Sequence, residues 1–263
     1  MKVYISVDIE GITGVTAWSQ TELGNIEHAA AAKQMKREAL AAAEGAVIAG
    51  ADEIYIKDAH DSGRNFDIDG FPKQCRFIRD WTNSPESMIA GIDETFDAVI
   101  YIGYHSPSGI NGNPLSHTMN PGNNYVKFNG QLSSEFVIHA FYAASLGVPS
   151  VFLSGDQALC AHVHAFDSHI RTVAVKDGIG GATISITPEE ACERISTGVR
   201  DAILSRKECH IDVPEKITME ISFKDHTRAH RAGYYPGVRQ TGPYTVEFTG
   251  SIKEVAAARM FIL

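Results

Sequence analysis

Hydrophobic and polar positions in the first hundred residues fall into strand-like and helix-like blocks. Short apolar runs of strand length occupy residues 3–7, 53–57 and 98–102. Between the first two runs, the alanine-rich stretch of residues 26–49 predicts a helix that ends at Gly50. The order strand, helix, strand favours parallel pairing through a right-handed crossover. This part of the chain therefore predicts a doubly wound α/β sheet.

The middle of the chain continues the pattern with shorter elements. Further strands are predicted at residues 75–78, 150–153, 172–175 and 183–186. Helices are predicted at residues 86–90, 135–146, 158–165 and 188–205, the second of them capped by Ser133 or Ser134. Residues 106–131 are rich in Gly, Pro, Asn and Ser, and we expect a functional loop that ends in a hairpin turn at Asn129 and Gly130.

From about residue 208 onward the pattern changes. Residues 217–223 and 244–248 alternate with a period of two, a short helix is predicted at residues 227–232, and a final helix at residues 251–263. We therefore predict an α/β fold of three layers, with a mostly parallel sheet flanked by helices. Residues 1–207 would form the catalytic domain and residues 208–263 a smaller α+β subdomain packed on it, unless the two are one continuous domain.

The amino-acid composition limits the kinds of molecule that the protein is expected to bind and the compartment in which it is expected to occur. The 263 residues are 44% hydrophobic, which is sufficient for a substantial core. The formal net charge is -9 and no long run of Lys or Arg occurs, so we expect neither nucleic acid nor a membrane as a partner. The four cysteines form no C-x-x-C pair and predict reduced thiols. Because the chain also lacks a signal-peptide core and a membrane span, we expect a cytoplasmic protein.

Residue types that bind metals follow three of the predicted strands directly. Asp8 and Glu10 end the first strand and, being two apart, face the same side of it. Asp58 and His60 follow the second strand, and His105 follows the third. The carboxyl ends of parallel strands line one crevice, where ligands bind in open α/β sheets. Carboxylates mixed with imidazoles and no cysteine indicate a hydrolytic zinc, manganese or cobalt centre rather than magnesium or calcium.

Each candidate also has a purely structural interpretation. Asp8 and Glu10 could be solvated acids at a strand end, although two acids after a buried strand are costly unless they are paired or bind a metal. Asp58 could orient the histidine two residues later or cap a turn, so we leave it out of the ligand set. The helix dipole alone explains Glu135 at a helix start. Lys176 could bind a substrate carboxylate or oxyanion, or form an ion pair.

Five segments of the chain resemble the DppA-type D-aminopeptidases in their order and approximate spacing. These segments are Ser6-Val7-Asp8-Ile9-Glu10-Gly11, Asp58-Ala59-His60, Gly103-Tyr104-His105, Ser116-His117-Thr118-Met119 and the stretch from Asn129 to Glu135. The resemblance covers essentially the whole chain and also takes in Ser154-Gly155-Asp156 and Ala174-Val175-Lys176. What it implies is a binuclear zinc peptidase with two Zn²⁺ per chain.

The resemblance assigns a role to each matching metal ligand. Asp8 would bridge the two zinc ions. Glu10 and His60 would complete one zinc site, and His105 and Glu135 would complete the other. For Glu135 the assignment depends on the resemblance, because the residue types around it do not require a metal.

The resemblance also identifies His117 as the catalytic residue outside the metal ligands. His117 could take up or deliver a proton, stabilise an oxyanion when protonated, or act as a nucleophile. Two divalent ions a few ångströms apart lower the pKa of a shared water, polarise the scissile carbonyl and anchor a free α-amine. That chemistry suits an aminopeptidase.

A substrate and an assembly are implied in the same way. The substrates would be short peptides with an N-terminal D-residue such as D-Ala, and the assembly a homodecamer that encloses a channel. The leading hypothesis is therefore a zinc-dependent D-aminopeptidase. The alternatives are a binuclear metal amidohydrolase acting on another amide or on a phosphoester, and a non-catalytic oligomeric protein that binds peptides or metal.

Overall fold

Two β-sheets and six α-helices account for most of the chain in the computed structural model, which describes residues 1–263. The first elements are β1 (Lys2–Val7), α1 (His28–Ile48), β2 (Glu53–Asp58), β3 (Cys75–Ile78), β4 (Ala98–Tyr104), β5 (Asn123–Phe128), β6 (Gln131–Leu132) and α2 (Glu135–Ser145). They are followed by β7 (Ser150–Asp156), α3 (Gln157–Phe166), β8 (Arg171–Ile179), β9 (Ala182–Ser185), α4 (Pro188–Leu204), β10 (Ile217–Phe223), α5 (His226–Ala232), β11 (Arg239–Gln240), β12 (Thr245–Gly250) and α6 (Ile252–Ile262). Where a helix is predicted at residues 86–90, the chain forms only a 3₁₀ turn at Ser87–Ile89.

The main sheet has seven strands in the order β3-β2-β1-β4-β7-β8-β9. Its neighbouring strands are parallel except for β8 and β9. The chain crosses from β1 to β2 toward one edge and from β4 to β7 toward the other. Because such crossovers are right-handed, α1 and α2 lie on opposite faces of the sheet. Helix α4 packs on α1 and α6 packs on α2, which confirms the prediction of a mostly parallel sheet between helical layers.

The central strands β1 and β4 determine where a ligand can bind. Every residue of β4 is buried, as is every residue of β1 after Lys2, because helices cover both faces of the sheet. The strand order reverses between β1 and β4, so the connections that leave them diverge and open a crevice at their carboxyl ends. The residues that directly follow these two strands therefore face each other across the crevice.

A second, antiparallel sheet has the strand order β11-β12-β10-β5-β6. The expectation that residues 106–131 form a loop is wrong for Asn123–Phe128, which pairs with β10. This strand contains two Asn and a Lys, and its partner lies about ninety residues later in the chain, so the local pattern does not reveal it. The turn prediction is confirmed, since Asn129 and Gly130 have φ angles of 50° and 81° and join β5 to β6.

The two sheets share one hydrophobic core. A single cluster of 67 buried residues contains Ile100 of the main sheet together with Val126 and Ile221 of the second sheet. The second sheet also takes strands from both sides of the boundary proposed at residues 207 and 208. The division of the chain into two domains at that point stays a prediction. Among the six helices, none combines the length and the apolar composition needed to cross a membrane.

Candidate metal centre

The six predicted site residues lie together at the carboxyl ends of the central strands. Asp8 and Glu10 follow β1, His60 follows β2, and His105 follows β4. Glu135 is the first residue of α2, where the Ser134 side chain caps the helix by accepting a hydrogen bond from the backbone of Val137. The loop between β4 and β5 supplies the sixth residue, His117. All six side chains are buried: Asp8, Glu10, His60, His105, His117 and Glu135.

One group of possible ligands consists of Asp8, Glu10 and His60. The Nδ1 atom of His60 lies 3.2 Å from Oδ1 of Asp8 and 3.0 Å from Oε2 of Glu10. One ligand atom from each of the three residues falls within 4.8 Å of the others. This spacing is close enough for all three residues to bind the same cation.

A second group shares Asp8 with the first. The Nε2 atom of His105 lies 3.6 Å from Oδ2 of Asp8 and 3.4 Å from Oε2 of Glu135. The two carboxylate oxygens of Asp8 therefore point toward different histidines, as a bridging ligand requires. A third group, consisting of Glu10, His105 and His117, also satisfies the spacing. The predicted division between ligands and catalytic residue stays a prediction, because His117 is within reach of a metal as well.

The three histidines are held by backbone carbonyls. His60 donates from Nε2 to the carbonyl of Thr21 at 2.9 Å. His105 donates from Nδ1 to the carbonyl of Ser106 at 3.0 Å, and His117 donates from Nδ1 to the carbonyl of Leu115 at 2.9 Å. A carbonyl oxygen only accepts, so these nitrogens carry protons and the opposite nitrogen of each ring faces the carboxylates. Such contacts fix the tautomer of metal-binding histidines.

Three buried atoms of the site have no hydrogen bond of good geometry, although each lies 3.0–3.6 Å from an atom of another ligand. They are Oδ2 of Asp8, Oε2 of Glu10 and Nε2 of His105. Buried polar atoms are normally paired, since leaving one unpaired costs about 1–3 kcal/mol. All three atoms belong to the two groups that share Asp8. Two carboxylates and an imidazole nitrogen are suitable donors for zinc, so the residues present fit the predicted metal.

Electrostatics set the protonation of the site when no cation is bound. Burial and the carboxylate of Glu10 raise the pKa of Asp8 well above its usual value. Burial disfavours the charge on His60, but Glu10 and Asp8 raise its pKa well above the usual value. In the second group burial alone would lower the pKa of His105, but the carboxylate of Glu135 outweighs this effect and raises the pKa to about 10. His105 in turn lowers the pKa of Glu135 to about 2 against the effect of burial. The positive charges of the protonated His60 and His105 rings thus balance the negative charge of the carboxylates.

His117 differs from the other two histidines in charge. Its ring stacks on that of His105, with centroids 4.3 Å apart, and packs against Trp18 at 5.3 Å. Burial and the positive charge of His105 lower the pKa of His117, so its ring is neutral near pH 7. Its Nε2 lies 3.5 Å from Oε1 of Glu135, an oxygen that also accepts a hydrogen bond from the backbone of Met119 at 2.7 Å.

The site opens into a pocket of about 400 Å³. Trp18 and Trp81 contribute aromatic rings to the lining of the pocket. Glu22 and Asp61 also line it and are exposed to solvent, whereas no Lys or Arg lines it. Sequence reasoning missed these four residues. Trp18 begins a short 3₁₀ turn and the other three lie on irregular segments, where no periodic pattern indicates which side chains turn inward.

The hydrogen bonds of Asp58 and Lys176 show how each side chain is used. Asp58 accepts hydrogen bonds from the backbone and side chain of Asn65, at 2.5 and 2.8 Å, and Asn65 donates to the carbonyl of His60. Asp58 therefore holds the backbone at His60, and does not orient its ring. Lys176 is buried, does not line the pocket, and donates to the carbonyls of Glu10 and Val15.

Comparisons with known proteins give a family, a similar sequence and a similar fold. The family model Peptidase M55, described as D-aminopeptidase, matches residues 1–261. A D-aminopeptidase from Bacillus subtilis (strain 168) is 26% identical over 251 residues, which are 94% of this chain and 91% of that protein. A solved structure is similar with a TM-score of 0.93 and 24% identity, covering 100% of this chain and 96% of the other. It is described as the Zn-dependent D-aminopeptidase DppA from Bacillus subtilis, a self-compartmentalizing protease.

Proposed function

The chain belongs to the Peptidase M55 family of D-aminopeptidases, and from this membership we propose that it is a binuclear zinc enzyme. The family confirms the predicted enzyme class, an aminopeptidase. The proposal adds that the chain binds two zinc ions and removes N-terminal D-residues such as D-Ala from short peptides. Its main support is Asp8, which takes part in two ligand groups and has a buried oxygen without a hydrogen-bond partner.

The ligands that we propose follow from the two groups that share Asp8. Asp8 would be the ligand common to both zinc sites, Glu10 and His60 would complete one site, and His105 and Glu135 would complete the other. When bound, the two ions supply a Lewis acid for the scissile carbonyl, an activated water and an anchor for the substrate amine.

The catalytic residue that we propose is His117. Its Nδ1–H is engaged by the carbonyl of Leu115, so Nε2 is the atom available to the pocket. Because burial lowers the pKa of His117, the ring begins as a neutral base. It would take up at Nε2 a proton from the attacking water and deliver it to the leaving amine, and stacking on His105 keeps the ring in place.

The assembly and location of the protein are part of the same proposal. We propose a homo-oligomer, specifically a decamer, with support from the similar structure described as self-compartmentalizing. Light scattering coupled to gel filtration would give the mass, and a monomer would contradict this. We also propose a cytoplasmic location, supported by four free cysteines, of which Cys75, Cys160 and Cys209 are buried.

Chelation and a substrate panel test the proposed activity. Removal of metal should abolish hydrolysis of D-Ala-D-Ala, and zinc should restore it. The panel should include the L,L dipeptide, a γ-glutamyl amide and a phosphoester. Full activity of the metal-free protein would contradict a metallopeptidase, whereas metal-dependent cleavage of only the amide or phosphoester would identify another binuclear hydrolase. Binding of zinc and peptides without any turnover would identify a binding protein.

A further inference from the structure

A buried carboxylate outside the metal site is connected to several of the site residues. Asp156 ends β7, has no exposed surface and belongs to none of the possible ligand groups. Its carboxylate accepts four hydrogen bonds from three residues. The donors are the backbone and hydroxyl of Ser106, at 2.7 and 2.5 Å, the side chain of Asn113 at 3.3 Å, and the backbone of Leu159 at 2.9 Å. Only the hydrogen bond from the backbone of Leu159 is an ordinary helix cap, at the start of α3.

The first connection leads to the ring of His105. Asp156 accepts hydrogen bonds from both the backbone and the hydroxyl of Ser106, and these two bonds fix the orientation of the peptide groups of Ser106. The carbonyl of Ser106 accepts the Nδ1–H of His105 at 3.0 Å. This contact requires the tautomer that leaves Nε2 free to face Asp8 and Glu135.

The second connection leads to Glu10 and to His117. The Nδ2 atom of Asn113 donates to Asp156 and also to the carbonyl of Glu10 at 3.0 Å. Its Oδ1 atom accepts from the backbone of Leu115 at 3.0 Å, and the carbonyl of Leu115 accepts the Nδ1–H of His117. Asn113 thus joins the backbone of one metal ligand to the residue that orients the catalytic ring.

The charge of Asp156 determines the direction of these hydrogen bonds. An ionised carboxylate can only accept, so the amide of Asn113 must turn its NH₂ group toward Asp156 and its oxygen toward Leu115. Lys176 lies opposite Asp156 in the β7–β8 register and donates to the same carbonyl of Glu10.

We infer that Asp156 is a positioning residue that, through Ser106 and Asn113, holds the rings of His105 and His117 and the backbone at Glu10 in working orientation. His60 is excluded from this network, because Thr21 holds its ring. The part of the inference that concerns catalysis depends on the proposed function, whereas the part that concerns ring orientation does not.

The test compares Asp156→Asn with Asp167→Asn. Asp167 is a matched control because its side chain is also mostly buried, it receives backbone hydrogen bonds from His169 and His210, and it lies at the other end of α3. Proton–nitrogen NMR of ¹⁵N-histidine-labelled protein reports the protonation and the hydrogen bonding of each ring nitrogen. In Asp156→Asn the Nδ1 signals of His105 and His117 should change, while the Nε2 signal of His60, which donates to the carbonyl of Thr21, should stay. In Asp167→Asn all three should stay.

Two further measurements address the loaded protein. In Asp156→Asn we expect zinc affinity or kcat to fall about 10- to 100-fold, as for residues that orient metal ligands. The visible spectrum of the cobalt-substituted protein should change too, and neither effect should appear in Asp167→Asn. Unchanged histidine signals in a folded Asp156→Asn protein would overturn the inference. If wild-type protein lacked metal-dependent hydrolysis, the proposed function would fail, and the NMR comparison would still decide the positioning role.

A second variant covers the case in which Asp156→Asn does not fold. Asn113→Ala keeps the carboxylate of Asp156, its contacts with Ser106 and the cap of α3. It removes only the hydrogen bonds of the Asn113 side chain, which link Asp156 to the carbonyl of Glu10 and to the backbone of Leu115. We expect the His117 signals to change and those of His105 to stay. The positioning role of the network would be refuted if neither ring responded.

Discussion

Replacing Asp8 removes the carboxylate whose two oxygens face different histidines, so its effect should differ from that of replacing Glu10. We expect Asp8→Ala to lose both zinc ions and Glu10→Ala to lose mainly one, because Glu10 belongs to only one of the groups that share Asp8. Elemental analysis of the purified variants, after gel filtration in zinc-free buffer, would give the zinc content per chain. Two zinc ions in Asp8→Ala would contradict the bridging role.

His117→Ala separates the catalytic role of this histidine from a role as ligand. Loss of a positioned acid or base typically costs about 10²- to 10⁴-fold in rate, so kcat should fall by that order. Zinc content should stay at the wild-type value if His117 is not a ligand. Because His117 also lies within ligand distance of Glu10 and His105, a fall in zinc content would instead make it a ligand. Unchanged turnover would remove it from the mechanism.

Zinc uptake should release protons, and its apparent affinity should rise with pH. In the metal-free protein the carboxylates raise the pKa of His105 to about 10 and that of His60 well above its usual value, so both rings are protonated near neutral pH. A ligand must lose its proton to bind, so raising the pH removes a competitor. Affinity should increase by about tenfold per pH unit for each proton released, until the pKa of His105 is reached.

Calorimetric titration in buffers of different ionisation enthalpy would count these protons. His117→Gln is the control, because burial lowers the pKa of His117 and its neutral ring releases nothing. The proton count should be the same in this variant. Zinc binding without proton release between about pH 6.5 and 8 would show that the rings are neutral before metal binds.

Close contact between the ends of β1 and β4 sets the spacing of the ligands. The backbone of Gly11 donates to the carbonyl of Gly103 at 2.7 Å, and Gly103 has a φ of +70°. A Cβ atom at Gly103 would collide with the carbonyl of Asp8, and one at Gly11 with the carbonyl of Tyr104. Side chains at either position would therefore separate the strand ends that carry Asp8 and His105.

Gly103→Ala should therefore destabilise the protein and weaken its metal site. The positive φ and the collision with backbone together should cost at least about 2 kcal/mol in the free energy of unfolding. Urea unfolding measures this. Gly181→Ala is the control, since a Cβ there meets no atom within 4 Å and the φ of Gly181 is not in the left-handed range. Equal stabilities of the two variants would contradict the close-packing argument.

Elements that the sequence predicts well are those whose pattern is local. Strands β1 and β4 are mostly apolar runs followed directly by Asp8 and His105, and the apolar Ile54–Ile56 of β2 precedes His60 by a few residues, so both the sheet and the ligand-bearing ends are readable. Strand β5 is polar and depends on a distant partner, β10.

The carbonyls that orient the histidines belong to residues such as Thr21 and Leu115. Any residue carries a carbonyl, so no residue type indicates them.

On the scale of the whole molecule, the metal site connects the two sheets. Glu135 begins α2, which packs on α6, and α6 covers β10 and β12 of the second sheet. Asp8 and His105 come from the central strands of the main sheet. A cation held by these three residues would therefore join α2 directly to the ends of the central strands. Metal binding should accordingly stabilise the whole protein against unfolding.

Metal removal should thus lower the melting temperature. A ligand that binds only the folded state at 100 times its Kd adds about 2.7 kcal/mol, and each kcal/mol shifts the melting temperature of a protein of this size by about 2–4 °C. Each zinc site should contribute about 5–10 °C on that basis. Thermal scans with chelator, and after zinc is restored, measure the effect. Asp8→Ala is the control, because a chain without the shared ligand should melt at the same temperature in both conditions. A wild-type melting temperature indifferent to zinc would contradict a metal that links the sheets.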